Sequence, residues 1–161
     1  MICSSLNRPF IENLLLLRVI FSRQLDYLTG AMSGSASFYR CSFFDLSRPV
    51  SIRDASAQFS NCTWSDNQPV ALAALGKAKV EVLGSAFSRS AIAVVAGDSA
   101  QTHVAKSTLE NLYATALSAF DAAKVVLEEC KISDINRCAI ELDQSSSLSL
   151  SSCTFSNTRM A

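Results

Sequence analysis

The stretch Ala123-Lys-Val-Val-Leu-Glu-Glu-Cys-Lys-Ile132 alternates in a way that only one kind of element explains. Val125 and Leu127 fall on one side, with Lys124, Val126 and Glu128 on the other. After a short break Cys130 and Ile132 resume the first side, against Lys131 and Ser133. A period of two is that of a strand with one buried face. The same ten positions recur without gaps at 34–43, 55–64, 78–87, 100–109 and 146–155, the six starts lying 21, 23, 22, 23 and 23 residues apart.

Aligned in this way, the copies form columns. The eighth position reads Cys41, Cys62, Ser85, Ser107, Cys130, Cys153; the tenth reads Phe43, Trp64, Phe87, Leu109, Ile132, Phe155. The fifth reads Phe38, Phe59, Val82, Val104, Leu127, Leu150. A third alternating piece follows in each copy, at Val50/Ile52, Val70/Leu72, Ile92/Val94, Leu117/Ala119 and Ile140/Leu142. Leu15, Leu17, Val19 and Phe21 take the same phase, which makes the apolar run at 14–21 part of an earlier coil. No single coil buries its own apolar face. Stacking coils about 4.8 Å apart pairs each strand with its copies and closes a continuous interior.

The expected fold is therefore all-β: a right-handed parallel β-helix of about six to seven coils of 21–23 residues, with three short strands per coil. A leucine-rich repeat would need a helix-length second half, and Arg137-Cys-Ala-Ile-Glu-Leu142 is too short and alternates. A left-handed β-helix would need a six-residue period, which is not visible. Residues 1–12 are read as an N-terminal extension and 13–161 as one β-helix domain. The final repeat stops at Met160-Ala161 with no capping helix, so the domain is expected to be part of a longer solenoid, its ends covered by further coils or by self-association.

Phe59-Ser-Asn-Cys-Thr-Trp64 and Leu150-Ser-Ser-Cys-Thr-Phe-Ser-Asn157 carry a pattern that resembles the pectin-lyase-like right-handed β-helix repeats. The resemblance runs from about residue 13 to the end. It implies the fold and leaves activity open, because that superfamily holds polysaccharide lyases, glycoside hydrolases, autotransporter passengers, adhesins and intracellular recognition domains.

Composition narrows the classes further. The chain has 161 residues, 49% hydrophobic and 17% charged, enough for one continuous core. Fourteen basic and fourteen acidic side chains cancel, leaving no global field for nucleic acid. The run at 14–21 is broken by Arg18 and falls short of a membrane span. Six cysteines without a CxxC pair, and one histidine, argue against zinc. Their redox state and the compartment stay open, with an extracellular or cell-surface setting slightly favoured.

Four groups of residues invite a functional reading. Asp45, Asp66, Arg89, Asn111, Asp134 and Asn157 form a ladder at the turn after the second strand, with Arg23 as an earlier member. In β-helices of the resembled family, stacked Asn at that turn bond neighbouring backbones, so a structural role is expected over a carbohydrate-binding stripe. Asp54, Asp98, Asp121 and Asp143 line the passage from one coil to the next, in a series interrupted by Lys77. They are weak Ca²⁺ candidates, because each coil supplies about one oxygen donor where the cation wants six to eight. Glu81 and His103 share an outward position on consecutive coils, without the third group that a general-base site needs. Cys41/Cys62 and Cys130/Cys153 face inward on adjacent coils and read as buried thiols.

No catalytic residue, cofactor site or resident metal site is assigned. Coil spacing never exceeds 23 residues, so no long loop builds a cleft. The outward column Ser51, Ala71, Ala93, Ser118, Glu141 offers no aromatic platform for sugars. The reading is a non-enzymatic scaffold or recognition segment with a protein or polysaccharide partner. The alternatives are a fragment of a carbohydrate-active enzyme lacking its catalytic coils, and an intracellular adaptor.

Overall fold

The computed structural model describes residues 20–21, 34–143 and 145–158. The expected extension at 1–12, the apolar positions Leu15, Leu17 and Val19, the ladder member Arg23 and the terminal Met160-Ala161 lie outside them. Among the described residues every regular element is a strand.

The strands form three parallel sheets, each taking one strand per coil. Sheet I stacks β2 (Ser35–Tyr39), β5 (Ser56–Ser60), β8 (Lys79–Leu83), β11 (Gln101–Ala105), β14 (Lys124–Glu128) and β17 (Ser147–Ser151). Sheet II stacks β1 (Ile20–Phe21), β3 (Ser42–Phe44), β6 (Thr63–Ser65), β9 (Ala86–Ser88), β12 (Thr108–Leu112), β15 (Lys131–Ile135) and β18 (Thr154–Thr158). Sheet III stacks β4 (Val50–Arg53), β7 (Val70–Leu75), β10 (Ile92–Ala96), β13 (Thr115–Ala119) and β16 (Cys138–Leu142). The chain therefore winds as a parallel β-solenoid with three strands per coil.

In sheets I and II the register is that of the sequence columns. Phe59 sits over Phe38 and under Val82, and Trp64 between Phe43 and Phe87. Phe43, Phe59, Trp64, Phe87, Leu109, Leu127 and Ile132 are buried. Rings stack where like meets like: Phe38 on Phe59 at 4.7 Å, Phe43 on Trp64 at 4.9 Å, and Trp64 on Phe87 at 4.4 Å between centroids.

Sheet III departs from the expected alignment. Val50 pairs with Leu72, then Val94, Leu117 and Ile140 follow, so Val70 and Ile92 stand two residues ahead of that column. The outward mates of Ser51 are accordingly Ala73, Val95, Ser118 and Glu141, while Ala71 and Ala93 are fully buried. The cause is periodicity itself. A shift of two residues preserves the alternation, so the pattern cannot distinguish the two registers.

Polar residues are also buried among the described residues, and one of them lies in the inward column of sheet I. Thr102 lies between Val80 and Val125 in its column, and its hydroxyl is buried without a partner. Thr102→Val keeps the shape and removes an unpaired group, so it should stabilise the fold by about 1 kcal/mol, read from urea titration. A loss of stability would show that the hydroxyl is bonded.

Candidate functional site

Each coil turns three times, and three of the four candidate groups sit at or beside these turns. At the turn after sheet II, Asp45, Asp66, Arg89, Asn111, Asp134 and Asn157 all hold positive φ, between 49° and 58°. Asn and Asp tolerate that left-handed backbone better than most residues. Four of them pair along the axis. Arg89 donates to both carboxylate oxygens of Asp66, at 2.9 and 2.8 Å, and the Asn157 amide donates to Asp134 at 3.0 Å.

The buried inter-coil bonds at this turn belong to the next residue along. Asn67 is fully buried. Its Oδ1 accepts the Leu46 N–H at 3.0 Å, its Nδ2 donates to the Phe43 carbonyl at 3.1 Å, and its own N–H donates to Ser90 Oγ at 3.2 Å. The position reads Leu46, Asn67, Ser90, Leu112, Ile135 and Thr158 through the coils, so no column signal marks Asn67 in the sequence.

At the third turn the column is Asp54, Gly76, Asp98, Asp121, each with positive φ. Gly76, not Lys77, interrupts the acidic series, and a Cβ there would collide with the Asp54 carboxylate. Asp143 stands one residue out of the column, beside Phe120, because Leu142 pairs with Ala119. The carboxylates accept backbone N–H groups. Asp98 takes that of Gly76 at 2.7 Å, Asp54 that of Lys77 at 2.8 Å, and Asp143 that of Asp121 at 2.9 Å. Asp143 also accepts from Ser145 and Ser146, and these N–H groups together hold its carboxyl below the usual carboxylate range. Arg53 lies 3.6 Å from Asp98. Among the described residues no three His, Cys, Asp or Glu side chains converge in a group that could hold a metal ion.

Glu81 and His103 are register mates on the outer face of sheet I, but their polar contacts lie elsewhere. Glu81 accepts from the Gln58 amide at 3.2 Å, and His103 Nε2 lies 3.2 Å from Glu128. Both pairs run coil to coil.

The first turn explains why Cys alternates with Ser. Cys62, Ser85, Ser107, Cys130 and Cys153 each donate to the carbonyl two residues earlier, as does Cys41 to Tyr39. The serine hydroxyls also accept a backbone N–H, Ser85 from Cys62 and Ser107 from Ser85. Cys62, Cys130, Cys138 and Cys153 are free thiols. Burial pushes the Cys62 thiol up to about 11, so it stays protonated and unreactive at neutral pH. The residue preceding this corner holds positive φ at Arg40, Asn61, Gly84, Lys106, Glu129 and Ser152. Only Asn61 and Gly84 could have announced that from sequence.

A family model described as a right handed beta helix region matches residues 27–161. The chain belongs to that family. Neither the curated proteins nor the solved structures compared with it include a match. No helix among the described residues is long and apolar enough to cross a membrane.

In this right-handed β-helix the outward ion pairs act between coils. The Arg89 guanidinium holds the Asp66 carboxyl below its ordinary value of 3.8. A carboxyl depressed by folding contributes stability that is complete above the unfolded value and is lost as pH falls through the folded one. Arg89→Ala should therefore lower the urea midpoint at pH 7, with the difference from the parent shrinking as pH drops below about 3.8. An equal difference at both ends of that range would show that the pair contributes nothing through charge.

Proposed function

We propose that the chain is a non-catalytic scaffold and recognition segment of a β-helical protein, with residues 13–161 one β-helix domain. The observation that carries this reading is the direction of the outward polar contacts. Gln58–Glu81, His103–Glu128, Arg89–Asp66 and Asn157–Asp134 each join one coil to the next, and Arg53–Asp98 reaches across two. Acid–base groups committed to one another along the axis stiffen a rod. They do not converge on a point where a reacting atom would sit.

Three flat faces then present side chains at the inter-strand spacing of about 4.8 Å. The partner such a face suits is an extended one, a polysaccharide or a protein surface, and display at a cell surface is the setting proposed. The deciding experiment is incubation with polyuronates, with and without calcium, following the release of unsaturated or reducing ends. Binding without turnover is the expected result. Sustained cleavage in either condition would replace the scaffold by a carbohydrate-active enzyme.

A further inference from the structure

One stretch of the second complete coil carries chemistry that the inter-coil pairs leave unused. The chain has seven asparagines, and only Asn61 is followed two residues later by serine or threonine, in Asn61-Cys62-Thr63. That spacing is the acceptor pattern for an N-linked glycan, whose bulk needs a surface position. The fold supplies one. Asn61 stands at the corner between β5 and β6, where alternation sends Cys62 into the core and leaves Asn61 and Thr63 exposed on either side of it. The backbone of Asn61 is anchored, its N–H donating to the Leu83 carbonyl at 2.9 Å. Its side-chain amide makes no hydrogen bond among the described residues, whereas the amides of Asn67 and Asn157 are both bonded.

The neighbouring corners leave that amide room. In the following coil the matching residue is Gly84, at φ 58°, where a Cβ would come within 3.0 Å of Asn61 Oδ1. In the preceding coil it is Arg40, whose guanidinium lies over the Tyr39 ring, 4.9 Å from its centroid. Tyr39 and Leu83 flank Ser60, the residue before Asn61, and they are 38% and 44% exposed. A small residue thus stands between two large apolar ones, a surface that the apolar face of an N-acetylated sugar can cover.

We infer that Asn61 is an N-glycosylation site, its first sugar packed against Tyr39 and Leu83. The inference rests on the cell-surface setting proposed above. The Asn61 Nδ2 attacks C1 of a polyprenyl-diphosphate-linked oligosaccharide. The N–C bond forms as the C–O bond to the diphosphate breaks, the lipid diphosphate leaves with the electron pair, and the amide releases one proton.

Translation of the 161-residue chain behind a cleavable secretory leader, with microsomes that hold the lipid-linked oligosaccharide, tests this; only the fraction protected from added protease is scored. One step in gel mobility, reversed by peptide-N-glycosidase, is expected. Asn61→Gln and Thr63→Ala should abolish it, and Thr63→Ser, which keeps the hydroxyl, should retain it. Asn136→Gln, at an exposed asparagine outside the motif, should change nothing. After detergent release the glycosylated form should resist protease to a higher temperature than the form made without microsomes. Tyr39→Ser combined with Leu83→Ser should remove that difference. A protected chain without the glycan, or a glycan that survives Asn61→Gln, would overturn the site, and equal resistance of the two forms would overturn the packing. Cleavage of polyuronates would sink the scaffold reading and leave this site standing.

Discussion

Trp64→Ala should destabilise the fold by about 3–5 kcal/mol, the range for removing a fully buried aromatic from a core. Trp64 is held between Phe43 and Phe87, its ring nearly parallel to both, and meets Phe59 edge-on at 5.2 Å. The backbone spacing of the stack is fixed by the parallel sheets, so the neighbouring rings cannot close over the space. The indole N–H finds no acceptor in the interior. Trp64→Phe keeps the stack and releases that donor, so it should cost less than half as much. Urea titration followed by far-ultraviolet circular dichroism suits the comparison, since Trp64 is the chain's single tryptophan and its fluorescence disappears with it. Equal losses for the two variants would mean that stacking is not what holds the coil.

Asn67→Ala should cost about 3 kcal/mol, because it leaves two buried backbone groups unpaired at once. The Leu46 N–H loses its acceptor and the Phe43 carbonyl its donor. Both belong to the first complete coil, and Asn67 belongs to the second. The damage therefore falls on the junction between them, and limited proteolysis should first cut near residues 43–49. Asn67→Ser, with a shorter hydroxyl, restores at most one of the two bonds and should recover part of the loss. A variant as stable as the parent would show that water replaces the amide.

The difference between Trp64 and Asn67 shows what the sequence discloses. Trp64 lies in a column of six large apolar residues, and repetition across coils made its burial readable. The sheets and the coil length followed from the same repetition. Sheet III was harder, because Val70 and Ile92 keep the alternation while standing two residues away from their expected partners. Asp143 was misplaced by one residue for a related reason: a similar residue nearby imitated a column member. Asn67 could not be found at all, since its role is unique to one coil. The candidate ladder was legible as a turn. That four of its side chains pair along the axis while the next residue reaches inward depends on backbone geometry that composition does not encode.

The corner after sheet I has a consequence for how the molecule comes apart. Arg40, Lys106 and Glu129 hold a backbone conformation that costs a side-chain-bearing residue roughly 1–2 kcal/mol. In each coil the N–H at that corner donates to the following coil: Arg40 to Ser60, Asn61 to Leu83, Gly84 to Ala105, Lys106 to Glu128, and Glu129 to Ser151. A coil thus owes its bend to its successor. Loosening between any two coils would therefore release the bend of the earlier one first.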